Sequence, residues 1–196
     1  MLFRSTNLHG TFAVTRAVLP RLRGHGGRIV CVTSSSGLGG LPTWSAYAAS
    51  KWGVEGWAES LAFEVGPHGI DVVLVEPGAY PTGIWRDDSW HGSPDGPYGP
   101  LVEAMSAADR RAAQAGGDPV AVAKVVARTF DARWPPTRRP VGRGAWRRWP
   151  PRGLVPSGVP PRAAAAWQSN SRPAPAAAAW QTNSRPAPAA VAWRTN

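Results

Sequence analysis

Residues 28–51, Arg28-Ile29-Val30-Cys31-Val32-Thr33-Ser34 running through Gly37-Leu38-Gly39-Gly40-Leu41-Pro42 to Tyr47-Ala48-Ala49-Ser50-Lys51, decide the fold. Arg28 to Thr33 is a short, continuous apolar run rich in β-branched residues. Such a run suits a strand buried on both faces of a parallel sheet. Ser34 to Thr43 is a Ser/Gly/Pro loop, and residues 45–66 then carry Tyr47, Lys51, Trp52, Val54, Leu61, Ala62 and Val65 along a helix. Ser45 is its expected N-cap, and Gly66-Pro67 closes the far end.

The pattern repeats on either side. Leu8, Phe12, Thr15, Val18/Leu19 and Leu22 recur at helical spacing over 7–23, stopped by Gly24-His25-Gly26-Gly27. Ile70 to Val75 is a second buried-type strand, ended by Pro77-Gly78. Helix, strand, helix, strand with short connections predicts a doubly wound parallel α/β sheet. Residues 79–117 read as a long irregular segment with a weak helix at 101–115, of the kind that forms lids. Asp118 caps a firmer helix over 119–132, with Pro119 in its first turn. A degenerate further strand is expected near Val141.

Charge divides the chain. Residues 1–132 hold 11 Lys+Arg and all 12 acids, a sum of −1, while 133–196 hold 11 Arg and no acid, a sum of +11; together they give +10. The basic region also contains a 13-residue repeat, Ala163 to Pro175, copied at 176–188 and partly at 189–196, with Trp167, Trp180 and Trp193 marking the period. One large apolar residue per copy cannot offset the conformational entropy of folding it. The reading is therefore a domain over 1–133 and a disordered, low-complexity tail over 134–196. The tail's arginines and tryptophans supply charge and stacking surfaces, but so few arginines per copy make nucleic acid a weak expectation as partner. One cysteine, Cys31, excludes an internal disulfide framework and reads as a small buried hydrophobe. No secretory segment and no apolar run near the ~20 residues of a membrane span is found, so a cytoplasmic location is expected. No cluster calls for a metal.

The chemistry lies at three positions. Ser34 ends a strand at the carboxyl edge of the sheet, where open α/β sheets bind ligands. Tyr47 follows 13 residues later, and Lys51 shares its helix face at i+4. An ammonium ~4 Å from a phenolate at an effective dielectric of about 20 is worth ~4 kcal/mol, or roughly three pKa units. That predicts a Tyr47 phenol lowered from ~10 to near 7, suited to general acid/base work. A serine hydrolase is set aside: Gly-x-Ser-x-Gly is absent, and His25 and His68 sit in turn-like contexts. His9 reads as a surface or core residue.

In order and spacing, Asn7-Leu8-His9-Gly10, Gly27 to Ser35, Tyr47-Ala48-Ala49-Ser50-Lys51 and Pro77-Gly78-Ala79-Tyr80-Pro81-Thr82 resemble the short-chain dehydrogenase/reductase family, over about residues 3–133. The resemblance implies the C-terminal half of a Rossmann-like fold. It implies an oxidoreductase that interconverts a small-molecule alcohol and a carbonyl with NAD or NADP. Tyr47 would be the proton donor and acceptor, Lys51 would lower its pKa and hold the nicotinamide ribose, and Ser34 would fix the substrate oxygen. Asn7 would hold a relay water, and Pro77, Gly78, Tyr80 and Thr82 would contact the nicotinamide carboxamide. Trp44, Tyr80, Trp85 and Trp90 would line an apolar pocket, and homo-oligomers would form through helices 7–23 and 45–66.

The glycine-rich turn that holds a pyrophosphate at a helix N-terminus is not found. Gly37-Leu38-Gly39-Gly40-Leu41-Pro42 has proline where the third glycine belongs. The chain as given is therefore expected to start inside the family pattern, to expose an apolar strand edge, and to bind NAD(P)H poorly. The alternative reading is a catalytically dead homologue or interaction module.

Overall fold

The computed structural model describes residues 3–85, 93–142 and 145. Its centre is a sheet of three parallel strands in the order β1-β2-β3: β1 (Gly27–Val32), β2 (Ile70–Pro77) and β3 (Arg138–Val141). β1 runs from Gly27 opposite Ile70 to Val32 opposite Val75. β3 pairs from Arg138 opposite Leu74 to Val141 opposite Pro77. Helix α1 (Thr11–Leu22) continues an eight-residue π-helical segment, Phe3–Gly10, and α2 (Ser45–Val65) leads into β2. Helices α3 (Gly99–Gln114) and α4 (Val120–Asp131) precede β3. The parallel sheet and its helices are the α/β architecture expected from the sequence.

Each face of the sheet has its own core. On one, Val54, Ala58, Leu61 and Val65 of α2 pack on Cys31, Ile70, Val72 and Leu74, with Leu8, Leu19, Leu22 and Trp57 closing the sides. On the other, Val122, Val125 and Val126 of α4 cover Val75, Tyr80 and Val141. Ile70, Val73, Leu74 and Val75 are almost wholly buried, each worth about 1.5–3 kcal/mol relative to exposure. This central strand is apolar on both faces because both faces are covered.

The connection into β1 depends on glycine. Gly26 and Gly69 both take positive φ, 72° and 71°. A Cβ on Gly26 would fall 2.9 Å from the Gly69 carbonyl oxygen, which also accepts a hydrogen bond from Gly27 N at 3.1 Å. Two side-chain-free turns thus start β1 and β2 in register. Arg28 fastens the same end, 2.6 Å from Asp71 and donating to the Phe130 carbonyl at the end of α4. That places a cation where the helix dipole favours one.

Three expectations need correction. β1 is not buried on both faces: only Cys31 is buried and Val32 is 49% exposed, because β1 pairs on one side only among the described residues. Ser45 is not the cap of α2; it is the first helical residue, Trp44 holds the cap position, and no side chain caps the turn. The boundary at 133 falls short: the strand expected near Val141 is present as β3 and extends the sheet to Val141. At α4 Pro119 holds the cap position and Val120 is the first helical residue, while the Asp118 carboxylate just before them accepts from Val120 N at 2.9 Å. The tail repeats and Trp90 lie outside the described residues.

An edge strand with free backbone groups templates association. Val32→Lys places a charge on that edge and is expected to raise severalfold the concentration at which the protein self-associates in sedimentation velocity runs. Unchanged self-association would show that contacts form elsewhere.

Candidate active site

The carboxyl ends of β1 and β2 open onto a cavity of about 790 Å³. Ser34, Tyr47, Pro77, Gly78, Tyr80 and Thr82 all line it, together with Trp44 and Trp85. Lys51 and Asn7 are not among the lining residues.

Ser34 leaves β1 in extended conformation and caps a short 3₁₀ turn, Ser35–Gly37, its hydroxyl oxygen accepting from Ser36 N at 3.1 Å. That bond fixes the oxygen and leaves the hydroxyl proton free to donate toward Tyr47. Burial raises the Tyr47 phenol above its ordinary value, and the Ser34 hydrogen bond partly opposes the rise. The expected drop toward 7 is therefore not found. Burial prevails, and the Lys51 ammonium sits over the Tyr47 ring, 5.8 Å from the centroid, donating to the Val32 carbonyl at 3.4 Å. A cation on the ring face stabilises a phenolate oxygen less than one placed beside it. Burial also lowers Lys51, with the Glu55 carboxylate and the Cys31 thiol pulling it back up.

Asn7 lies in the π-helical segment, a form of turn often retained at functional sites. Its amide donates to the Ser50 hydroxyl at 3.3 Å, and Ser50 donates to the Tyr47 carbonyl at 2.7 Å. The contact ties the segment to the turn of α2 between Tyr47 and Lys51. Its own carbonyl accepts from Thr11 at 2.6 Å.

The walls are aromatic. Trp44 meets Tyr47 edge-on at 4.9 Å and Trp85 at 5.8 Å, and Phe3 approaches the other side of Tyr47 at 5.3 Å. The Trp44 indole N–H donates to the buried Asp109 carboxylate at 2.9 Å, and the Trp85 N–H donates to the Tyr80 carbonyl. Tyr80 is mostly core, 7% exposed with Val75 and Val141. Gly78 N donates to the Val141 carbonyl at 2.9 Å, so its amide is engaged within the protein.

Reading from sequence missed Asp109, Glu55, Glu76 and Arg138. Signals existed for two of them: Glu55 falls one turn after Lys51 and one before Glu59, a charged row at i+4 spacing, and Glu76 ends the run Val72-Val73-Leu74-Val75. Nothing local marks Asp109 or Arg138.

Residues 3–91 match the family model for short chain dehydrogenase. An uncharacterized oxidoreductase of Bacillus subtilis, YusZ, is 51% identical over 81 residues, 41% of this chain and 29% of that protein. The trans-4-hydroxycyclohexanecarboxylate dehydrogenase of Sinomonas cyclohexanicum is 40% identical over 76 residues, 39% of this chain and 29% of that enzyme. The crystal structure of a short-chain dehydrogenase from Streptomyces avermitilis superposes with a TM-score of 0.60 at 32% identity, covering 72% of this chain and 52% of that one. Fold, motif order and these matches agree: over residues 3–91 the chain is similar to the short-chain dehydrogenase family. It spans about half the length of that structure and under a third of the two proteins matched by sequence. Among the described residues, no helix is long and apolar enough to cross a membrane, and no cluster of His, Cys, Asp and Glu could hold a metal ion.

Proposed function

We propose that the cavity is the proton-transfer and nicotinamide-facing half of an NAD(P)-dependent oxidoreductase site that interconverts an alcohol and a carbonyl. One observation carries this reading: Ser34, Tyr47, Pro77, Gly78 and Thr82, dispersed over 49 positions of sequence (34 to 82), line a single cavity at the carboxyl edge of a parallel sheet. In the reducing direction the Tyr47 hydroxyl donates its proton to the substrate oxygen, which the Ser34 hydroxyl also holds. A phenol raised by burial is suited to keeping that proton until negative charge develops on the substrate. Lys51, over the ring, favours the phenolate left behind. Asn7 acts by holding the backbone at Tyr47.

The cavity's volume of about 790 Å³ and the hydroxyls of Ser34, Tyr47 and Thr82 on its lining fit a nicotinamide group. Thr82 and the Pro77-to-Tyr80 backbone would hold its carboxamide, with the Gly78 amide excluded from that role. When bound, the nicotinamide supplies or accepts the hydride. Lys51 and Tyr47 would face its ribose. The aromatic walls favour an apolar substrate. Tyr80 acts here as a wall held by its own core contacts. The exposed Val14, Val18, Trp52 and Phe63 on α1 and α2 support a homo-oligomer through those helices. A cytoplasmic location and a low-complexity tail beyond the sheet belong to the same reading.

No glycine-rich turn opening a helix is present among the described residues to hold a pyrophosphate. Residues 1–196 are expected to bind NADPH more weakly than micromolar and not to turn over. Fluorescence titration with NADPH measures this, and micromolar binding would sink the expectation.

A further inference from the structure

Beneath the cavity, the Arg138 guanidinium meets three carboxylates. Nη1 donates to Glu55 Oε2 and Glu76 Oε1, and Nη2 donates to Glu59 Oε1. Glu59 reaches solvent, its side chain 51% exposed, whereas the side chains of Arg138, Glu55 and Glu76 are 7%, 2% and 0% exposed. Two buried carboxylates thus face one buried cation. Glu55 Oε1 and Glu76 Oε2 have no conventional partner among the described residues. With both ionised the inner group carries an uncompensated negative charge in a medium that strongly disfavours one. A single proton between the two acids removes that charge and gives an orphan oxygen a partner.

The position of the group gives it reach. Glu55 follows Lys51 by one helical turn and packs under the Ser34 turn, where a Cβ on Gly37 would fall 2.8 Å from Glu55 Cγ. Thr33, the residue before Ser34, donates its hydroxyl to the Val75 carbonyl at 3.2 Å, which ties the Ser34 turn to β2 beside Glu76. Glu76 directly precedes Pro77-Gly78, and Arg138 begins β3. We propose that Glu55 and Glu76 share one proton across Arg138, and that this clamp is a positioning device that holds the Ser34 turn and the Pro77-Gly78 segment against the helix carrying Tyr47 and Lys51. The shared proton stands independently of catalysis; its consequence for the site rests on the oxidoreductase reading.

The electrostatics agree in direction. Burial pushes Glu76 up to about 7, the Glu55 charge adds to the push, and Arg138 opposes it. Burial raises Glu55 as well, against the charge and hydrogen bond of Arg138. The charged or titratable groups facing the pair are Lys51 and Glu59 from α2, Arg138 from β3 and Cys31 from β1. The Cys31 thiol is itself pushed up to about 11 by burial and by Glu55. A folded-state pKa above the unfolded one means that the folded chain holds a proton the unfolded chain has released. Stability is then fully present below about 4.5, falls as pH rises toward 7, and is level above.

The test uses the full chain and Glu76→Gln, which keeps the volume and a donor toward Glu55. Between pH 5 and 8 the folding equilibrium constant of the wild type should fall about a hundredfold, and that of Glu76→Gln much less. At pH 8 the variant should be the more stable protein. Infrared spectra of the wild type at pH 7 should retain a protonated-carboxyl band that Glu76→Gln loses and Glu59→Gln keeps. Absence of that band in the wild type overturns the shared proton, even if the variant does not fold. Near-ultraviolet circular dichroism from Trp44, Tyr47 and Trp85 should change over the same pH range in the wild type only. A flat aromatic signal overturns the positioning role. None of these readouts requires turnover, so failure of the oxidoreductase reading leaves them intact and is recognised separately.

Discussion

Arg138→Ala is expected to destabilise the fold by roughly 3–5 kcal/mol at neutral pH, the range for breaking a buried ion pair from one side. Against a typical total of about 5–15 kcal/mol, such a loss leaves much of the chain unfolded. The effect is not lost packing alone. Glu55 and Glu76 remain, buried and without a cation, and β3 loses the side chain that fastens its first residue to α2 and β2. Although burial works against its charge, Arg138 is held well above its ordinary value by Glu59, Glu55 and Glu76, so it is cationic at every pH of interest. The loss should shrink as pH falls below the Glu76 value of about 7, because both acids then neutralise themselves. Removing the charges as well, in Arg138→Met combined with Glu55→Gln and Glu76→Gln, should recover most of the stability. Urea unfolding followed by circular dichroism decides the matter. A deficit under about 1 kcal/mol for Arg138→Ala, or no recovery in the triple variant, would mean that the cluster contributes little.

Arg138 also marks where reading from sequence stopped working. It lies in a stretch with 11 arginines and no acid, which looks like a solvated basic extension. Its partners stand 62, 79 and 83 residues upstream, so no local pattern announces them. A boundary drawn from composition at 133 therefore excluded a strand that was itself expected near Val141. The same arginine is buried, and so offers nothing to nucleic acid. Helices and strands were legible because each carries its own period: Leu61 and Val65 in step with Val54, or four apolar residues in a row before Glu76. The condition of β1 was not, because a β-branched run has the same composition whether its outer side is paired or bare.

The candidate site shows the same division. The arrangement of Ser34 at a strand end, Tyr47 thirteen residues on and Lys51 a turn later was readable, because strand and helix geometry carry such residues to one edge. The direction of the Tyr47 shift was not. Spacing at i+4 brings two side chains to one face, but it does not decide whether an ammonium lies beside the phenol oxygen or over the ring. Here it lies over the ring, and burial prevails. The partner of Asn7 was not legible either: its amide is directed at Ser50, 43 residues away.

Tyr47→Phe should lower turnover by about 10²–10⁴-fold, the range attributed to one positioned proton donor, provided that the rest of an enzyme is supplied. Residues 3–91 can be tested in that setting by putting them in place of the matching stretch of the Sinomonas cyclohexanicum dehydrogenase, 40% identical over 76 residues. That exchange separates the site from the question of what holds the cofactor's phosphates. In the chimera, phenylalanine keeps the ring edge-on to Trp44 and beneath Lys51, and removes only the hydroxyl. The expected signature is a fall in kcat with KM little changed, because the proton moves only as charge develops on the substrate oxygen. Ser34→Ala should lower kcat less and raise the apparent pKa of the remaining activity, since it deletes the bond that favours the Tyr47 phenolate. A chimera that turns over equally well with phenylalanine at 47 would remove Tyr47 from the chemistry. A folded chimera without activity, even with tyrosine in place, would favour the reading of these residues as a catalytically silent relative of the family.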